Sequence, residues 1–245
     1  MHGRLLLAAF AQPPWPILIL ASSLGWVAAA RLGLGDGFPE LCGIGAGTLT
    51  WRSLEAMLAI DGVWMLAFAW FAMIAAMTPP LLAAPLGHLW LRSLPRRRAR
   101  SIGLFLMAYA AAWMAAGPPI RIVAATISSG VGDDVWAASF AGLGAILWQR
   151  SPAKAACLDR CHALPPLAAF GLSADRDALK FGFTSGFWCI GTCWALMLAA
   201  LSAGPAHLPA MAIATIIATA ERLGPPRPLR RRTRPDPILA TTKAI

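Results

Sequence analysis

The chain has 245 residues, of which 58% are hydrophobic and only 13% charged, against roughly a quarter charged in an average soluble domain. That deficit excludes intrinsic disorder and disfavours an ordinary soluble enzyme. The net charge of +10 would suit a nucleic-acid binder, but the apolar runs are long enough to cross a bilayer, so the expected surroundings are lipid and no nucleic acid.

In chain order, six stretches approach or exceed the roughly 20 apolar residues that a spanning helix needs: 15–34, 62–86, 102–125, 135–147, 179–201 and 207–220. The fourth and sixth are short, and the fourth has room to start earlier, near Ile127. The expected fold is all-α, a polytopic helical bundle of about six spans. Residues 1–60 hold the first span and an external loop with Cys42. Residues 61–223 form a five-helix membrane domain, and 224–245 read as a disordered, basic Pro- and Arg-rich tail. Of the 21 Lys and Arg, all but Arg31, Arg52 and Arg121 fall on one side of these spans. By the positive-inside rule that side is cytoplasmic, with both termini on it. The first span lacks a clean cleavage site and is expected to be retained. The expected location is a membrane whose basic side faces the cytoplasm.

Met73 and Met77 stand one turn apart near the end of the second span, ahead of Thr78-Pro79-Pro80. Two thioethers on one helical face could pass a soft ion, although a Met stripe is more often core filling. Four of the five cysteines come in two pairs, Cys157-x3-Cys161 and Cys189-x3-Cys193. On a helix each pair shares one face. Ser151-Pro152 reads as an N-cap followed by proline at the first helical position, and Pro165-Pro166 closes the segment. The short helix between them puts Lys154 on the cysteine stripe, where an ammonium favours thiolate, and His162 follows as a further donor. Cys189 lies ten residues into its span, roughly 15 Å deep. It shares a narrow face with Gly182 and Gly186, whose spacing admits a close neighbouring helix. Met197 lies one turn beyond Cys193.

Three readings stay open for these thiols: buried small hydrophobes, a disulfide between the pairs, or a metal site. Cysteines four apart in one helix are badly placed to bond each other, and the cytoplasm is reducing. If a metal binds, thiolate and thioether donors select Cu(I) or zinc, and Cu(I) on two thiolates carries the smaller charge to bury. Copper(I) is therefore favoured over zinc, on Cys157, Cys161, Cys189 and Cys193 with Met197, Met73 and Met77 as auxiliary ligands. His88 and His207 read as boundary residues. No Walker-type loop, HExxH or GxSxG occurs, so no catalytic residues are expected.

The motifs Met73-x3-Met77-x-Pro79, Tyr109-x3-Trp113-x3-Gly117, Gln149-x-Ser151-Pro152-x-Lys154-x2-Cys157-Leu158-x2-Cys161 and Gly186-x2-Cys189-x-Gly191-x-Cys193-Trp194-x-Leu196-Met197, with Glu221, resemble the DUF2182 family of predicted metal-binding integral membrane proteins in bacteria. The resemblance runs from the second span to the end of the sixth. It implies metal binding, and copper-related naming of some members agrees with the soft-ligand argument. This chain departs from the pattern at Thr192, where members carry a further cysteine, and at Thr184-Ser185, where they often carry Arg-His. The expected role is copper handling or delivery, with a metal recipient or a membrane complex as protein partner. The alternatives are a structural subunit or assembly factor, and a thiol–disulfide oxidoreductase.

Overall fold

A computed structural model describes residues 14–34, 49–60 and 62–224. Cys42, Asp36, Glu40, Asp61 and the basic tail after Gly224 lie outside the described residues. Within them the fold is all-α, with no strand. Nine α-helices follow one another: α1 Trp15–Leu34, α2 Trp51–Ile60, α3 Gly62–Met77, α4 Ala83–Arg92, α5 Arg98–Val131, α6 Asp134–Gln149, α7 Pro152–Cys161, α8 Gly171–Leu201 and α9 His207–Leu223. Two segments are long and apolar enough to cross a membrane, Pro95–Val131 and Gly171–Leu201. The pair Gly62–Met77 and Pro79–Arg92 makes a third if the two, bent by 58°, form one span. Helices stand at all six expected positions, but of the others α1 and α6 are shorter apolar helices and α9 belongs to neither class.

Local chemistry accounts for most of the ends. Pro79 and Pro80 cannot donate to the carbonyls of Ala75 and Ala76, so α3 stops and the chain bends through a 3-10 turn. The Ala76 carbonyl freed in this way accepts a hydrogen bond of 2.7 Å from the Ser22 hydroxyl of α1. Gly25, one turn along, lies flat against the same backbone: a Cβ there would sit 2.4 Å from Ala76 N. The crossing of α1 over α3 is thus built on the proline break. Pro118 and Pro119, in contrast, leave α5 continuous. Trp70 packs on Gly117 and donates its indole N–H to the Trp113 carbonyl at 2.9 Å, so a neighbouring helix packs on the turn just before the two prolines. The third predicted span therefore runs past Ala125 to Val131. It ends at Gly132, whose φ of 71° only glycine adopts freely. Asp133 then caps α6, which is why α6 does not begin near Ile127.

The long helices α5 and α8 make the most extensive contact in the molecule. They run in the same direction, since Gly182 meets Phe105 and Gly186 meets Tyr109 and Ala112. This close approach is the one expected from the Gly182-x3-Gly186 spacing. At the start of both helices Asp175 accepts from Arg97 and Arg100, each at 2.7 Å. Asp175 is buried and Arg97 mostly so, whereas Arg100 is largely exposed. Removing the carboxylate strands Arg97, so Asp175→Ala is expected to cost about 2–4 kcal/mol. Arg100→Ala should cost less than about 1 kcal/mol. Thermal denaturation in detergent separates the two; equal shifts would show that the pair is not organised around Asp175.

Helix α2 was not foreseen: its ten residues were read as external loop. It is held by Thr50 and Ser53, which bond each other's backbone at its start, and by Trp51 N–H donating to Ser129 of α5 at 3.0 Å.

Candidate metal centre

Helix α7 begins as its sequence dictates. Ser151 Oγ accepts from Lys154 N at 3.1 Å and Pro152 occupies the first helical position. The side chains of this helix fall differently from the sequence reading. Lys154 is buried and pairs with Glu221 of α9, which also accepts from Gln149 at 3.3 Å. Its charge is balanced by Glu221 and is not reserved for a thiolate. His162 presents Nδ1 to the Leu158 carbonyl at 2.8 Å and Nε2 to the Arg222 carbonyl at 3.2 Å. With both nitrogens turned to carbonyl oxygens, it offers no lone pair to an ion. His88 faces the Pro165 carbonyl and His207 the Ala200 carbonyl, in keeping with a boundary role.

The cysteine pairs lie closer than the sequence suggested. Helix α8 starts at Gly171, eight residues before the predicted span, so Cys189 is about 27 Å along it at the helical rise. The first pair follows it there. A Cβ on Gly191 would touch Cys157 Sγ at 2.8 Å, which places α7 against the very turn that joins Cys189 to Cys193. The two pairs are level, not one at the surface and one 15 Å below.

Cys161 is buried, with the thiol of Cys189, the hydroxyl of Thr192 and the guanidinium of Arg222 around it. Burial, reinforced by Cys189, pushes the Cys161 thiol up to about 12, while Arg222 pulls the other way. In the absence of an ion this sulfur keeps its proton near neutrality. Tyr109 donates to Cys189 Sγ at 3.2 Å. Thr192 Oγ1 donates to the Cys189 carbonyl at 2.8 Å and lies 3.4 Å from Cys193 Sγ. The departure from the family pattern at Thr192 therefore falls inside the thiol cluster.

On its other side Cys193 lines a cavity of about 10 Å3 together with Met77 and Met197, near the smallest volume that holds one water. Met73 is buried in the core but is not among the lining residues. The structure thus joins Cys161, Cys189 and Cys193 in one cluster and Cys193, Met77 and Met197 around one void. Cys157 flanks the cluster against Gly191, and Met73 stands apart from the cavity. Among the described residues no three of His, Cys, Asp and Glu converge closely enough to hold a metal together. The donors gathered here are thiols, with the thioethers of Met77 and Met197 beside Cys193, and all are of the soft type. Beside it Gln149, Lys154, Asp159, His162 and Glu221 surround a polar pocket of about 140 Å3.

Comparison with known proteins bears on the same helices. A family model described as PpoB2, copper chaperone, matches residues 67–238, more than two thirds of the chain and all of the cysteine-bearing helices. The chain belongs to this copper chaperone family. The matching family does not carry the name DUF2182, but its copper-related character agrees with the metal binding that the resemblance implied. Membership brings copper handling as the general role. No curated protein and no solved structure matches the chain.

The parts that the sequence reading missed are Tyr109 and Thr192 as partners of the thiols, and Arg222 beside Cys161. In the sequence Tyr109 stands out only as the first residue of Tyr109-x3-Trp113-x3-Gly117. Its spacing to Trp113 and Gly117 was visible, but nothing local marked it as facing a cysteine eighty residues on.

Proposed function

We propose that the protein is a membrane-embedded Cu(I) chaperone without catalytic chemistry. Copper(I) is its cargo, taken up on two thiols at a time within the cluster of Cys161, Cys189 and Cys193 and passed toward Met77 and Met197. The observation that carries this reading is the position of Cys193, which belongs at once to the thiol cluster and to the cavity between two methionines. Thiolates hold Cu(I) tightly and thioethers hold it loosely, so a shared cysteine between them gives an ion a path with a graded grip. Cys157, half-buried at the edge, and the polar pocket next to His162 provide the approach. The bundle lies in a bacterial inner membrane with about six spans and the thiol-bearing end toward the cytoplasm, and the recipient is another protein.

Anaerobic loading of the detergent-solubilised protein with Cu(I), followed by elemental analysis, tests the reading. The expected result is about one copper per chain, lost when Cys157, Cys161, Cys189 and Cys193 are all serine and the melting profile is kept. Because the Cys161 thiol is protonated before loading, uptake near pH 7 releases protons and weakens as pH falls. Equal copper in both proteins would leave the helices as a structural scaffold.

A further inference from the structure

Arg222 is the last basic residue of α9, and it has an unusual position. Its Nη1 is buried with no hydrogen-bond partner. Nε donates to the Leu81 carbonyl at 3.3 Å, which turns the guanidinium inward, toward Cys161 and within electrostatic reach of Cys189. Its neighbour Glu221 is occupied by Lys154, and none of the ion pairs among the described residues includes Arg222. Arg222 as a whole is half-buried, its guanidinium is always charged, and a charge turned inward without a counter-charge is costly.

We infer that Arg222 is the counter-ion of a Cu(I)–dithiolate and selects a monovalent cargo by charge. This rests on the copper reading above and names how the same site discriminates. When Cu(I) enters, two S–H protons leave to solvent, two Cu–S bonds form and no electron moves. The complex carries one negative charge, which the guanidinium neutralises. A Zn(II) ion on the same two thiolates is neutral, so it leaves the arginine uncompensated. Zinc also seeks four ligands, and no third Cys, His, Asp or Glu converges with two others among the described residues. Charge and coordination number therefore favour the same ion. Arg222 acts as a positioning residue for the cargo's charge and does not bind the ion itself.

The test is competition for the monodisperse protein, with Cu(I) presented against bicinchoninate and Zn(II) against a zinc indicator. Arg222→Gln is expected to lower Cu(I) affinity about tenfold or more while leaving Zn(II) affinity equal or higher. Arg222→Lys, which keeps the charge, should stay within about threefold of the parent ratio. An unchanged ratio in Arg222→Gln, or the same loss in Arg222→Lys, overturns the inference. A parent protein that takes up no Cu(I) at all is a different result, and it sinks the copper reading itself.

Discussion

Cys193→Ser is expected to abolish stable Cu(I) binding, with a loss of affinity above about a hundredfold, while Cys157→Ser loses at most about tenfold. The difference follows from position. Cys193 is buried between Thr192 on one side and the cavity shared with Met77 and Met197 on the other, so serine removes the donor common to both halves of the path. A hydroxyl is a hard donor and does not replace a thiolate for a soft ion. Cys157 is only half-buried, and it lies against Gly191. Gly191→Ala is a useful companion: its methyl meets Cys157 Sγ at 2.8 Å, a flexible side chain that can swing aside. It should therefore behave like Cys157→Ser and not like Cys193→Ser. Cu(I) titration against a competing chelator ranks the three variants. If Cys157→Ser were the most damaging, the ion would be gripped at the edge of the bundle and the path through Cys193 would be wrong.

Much of this arrangement could be read from the chain because it is written in local rules. Ser151 and Pro152 start α7 through cap chemistry confined to the four residues from Ser151 to Lys154. The pairing of Gly182 with Gly186 signals a helix contact by spacing alone, and α5 fills it. The relation between the two cysteine pairs is different in kind. Each pair's helical face follows from a four-residue repeat, but their common level depends on where α7 docks along α8, which no repeat encodes. Lys154 shows the same limit. Its stripe with Cys157 and Cys161 was correctly spaced, yet its charge goes to Glu221, sixty-seven positions away. Proline was legible only in part. Pro79 and Pro80 end a helix, whereas Pro118 and Pro119 do not, although the same dipeptide stands at both places.

Gly182→Val is expected to prevent α5 and α8 from assembling, with loss of monodisperse protein, whereas alanine at Gly103 or Gly142 is harmless. A Cβ at position 182 would stand 2.3 Å from the Phe105 carbonyl oxygen and 2.9 Å from its Cα. Both atoms are backbone, so no side chain can rotate away and the helices must separate. Separation opens the layer in which Phe105 packs on Phe181, and it moves Tyr109 off Cys189 Sγ. Overpacking of a well-filled contact costs about 1–3 kcal/mol even when side chains can adjust, and a clash against rigid backbone lies above that range. Gly103 and Gly142 sit in helices with nothing within 4 Å of a Cβ. Alanine there should be neutral or stabilise by about 0.5–1 kcal/mol through helix propensity. Size-exclusion profiles and melting temperatures in one detergent compare the three variants directly. Because the same two helices carry Tyr109 and the Cys189–Cys193 pair, any Gly182 variant that survives should lose Cu(I) affinity in proportion to its loss of stability. A destabilised variant with full affinity would show that the thiols need only α8 and not the α5–α8 contact.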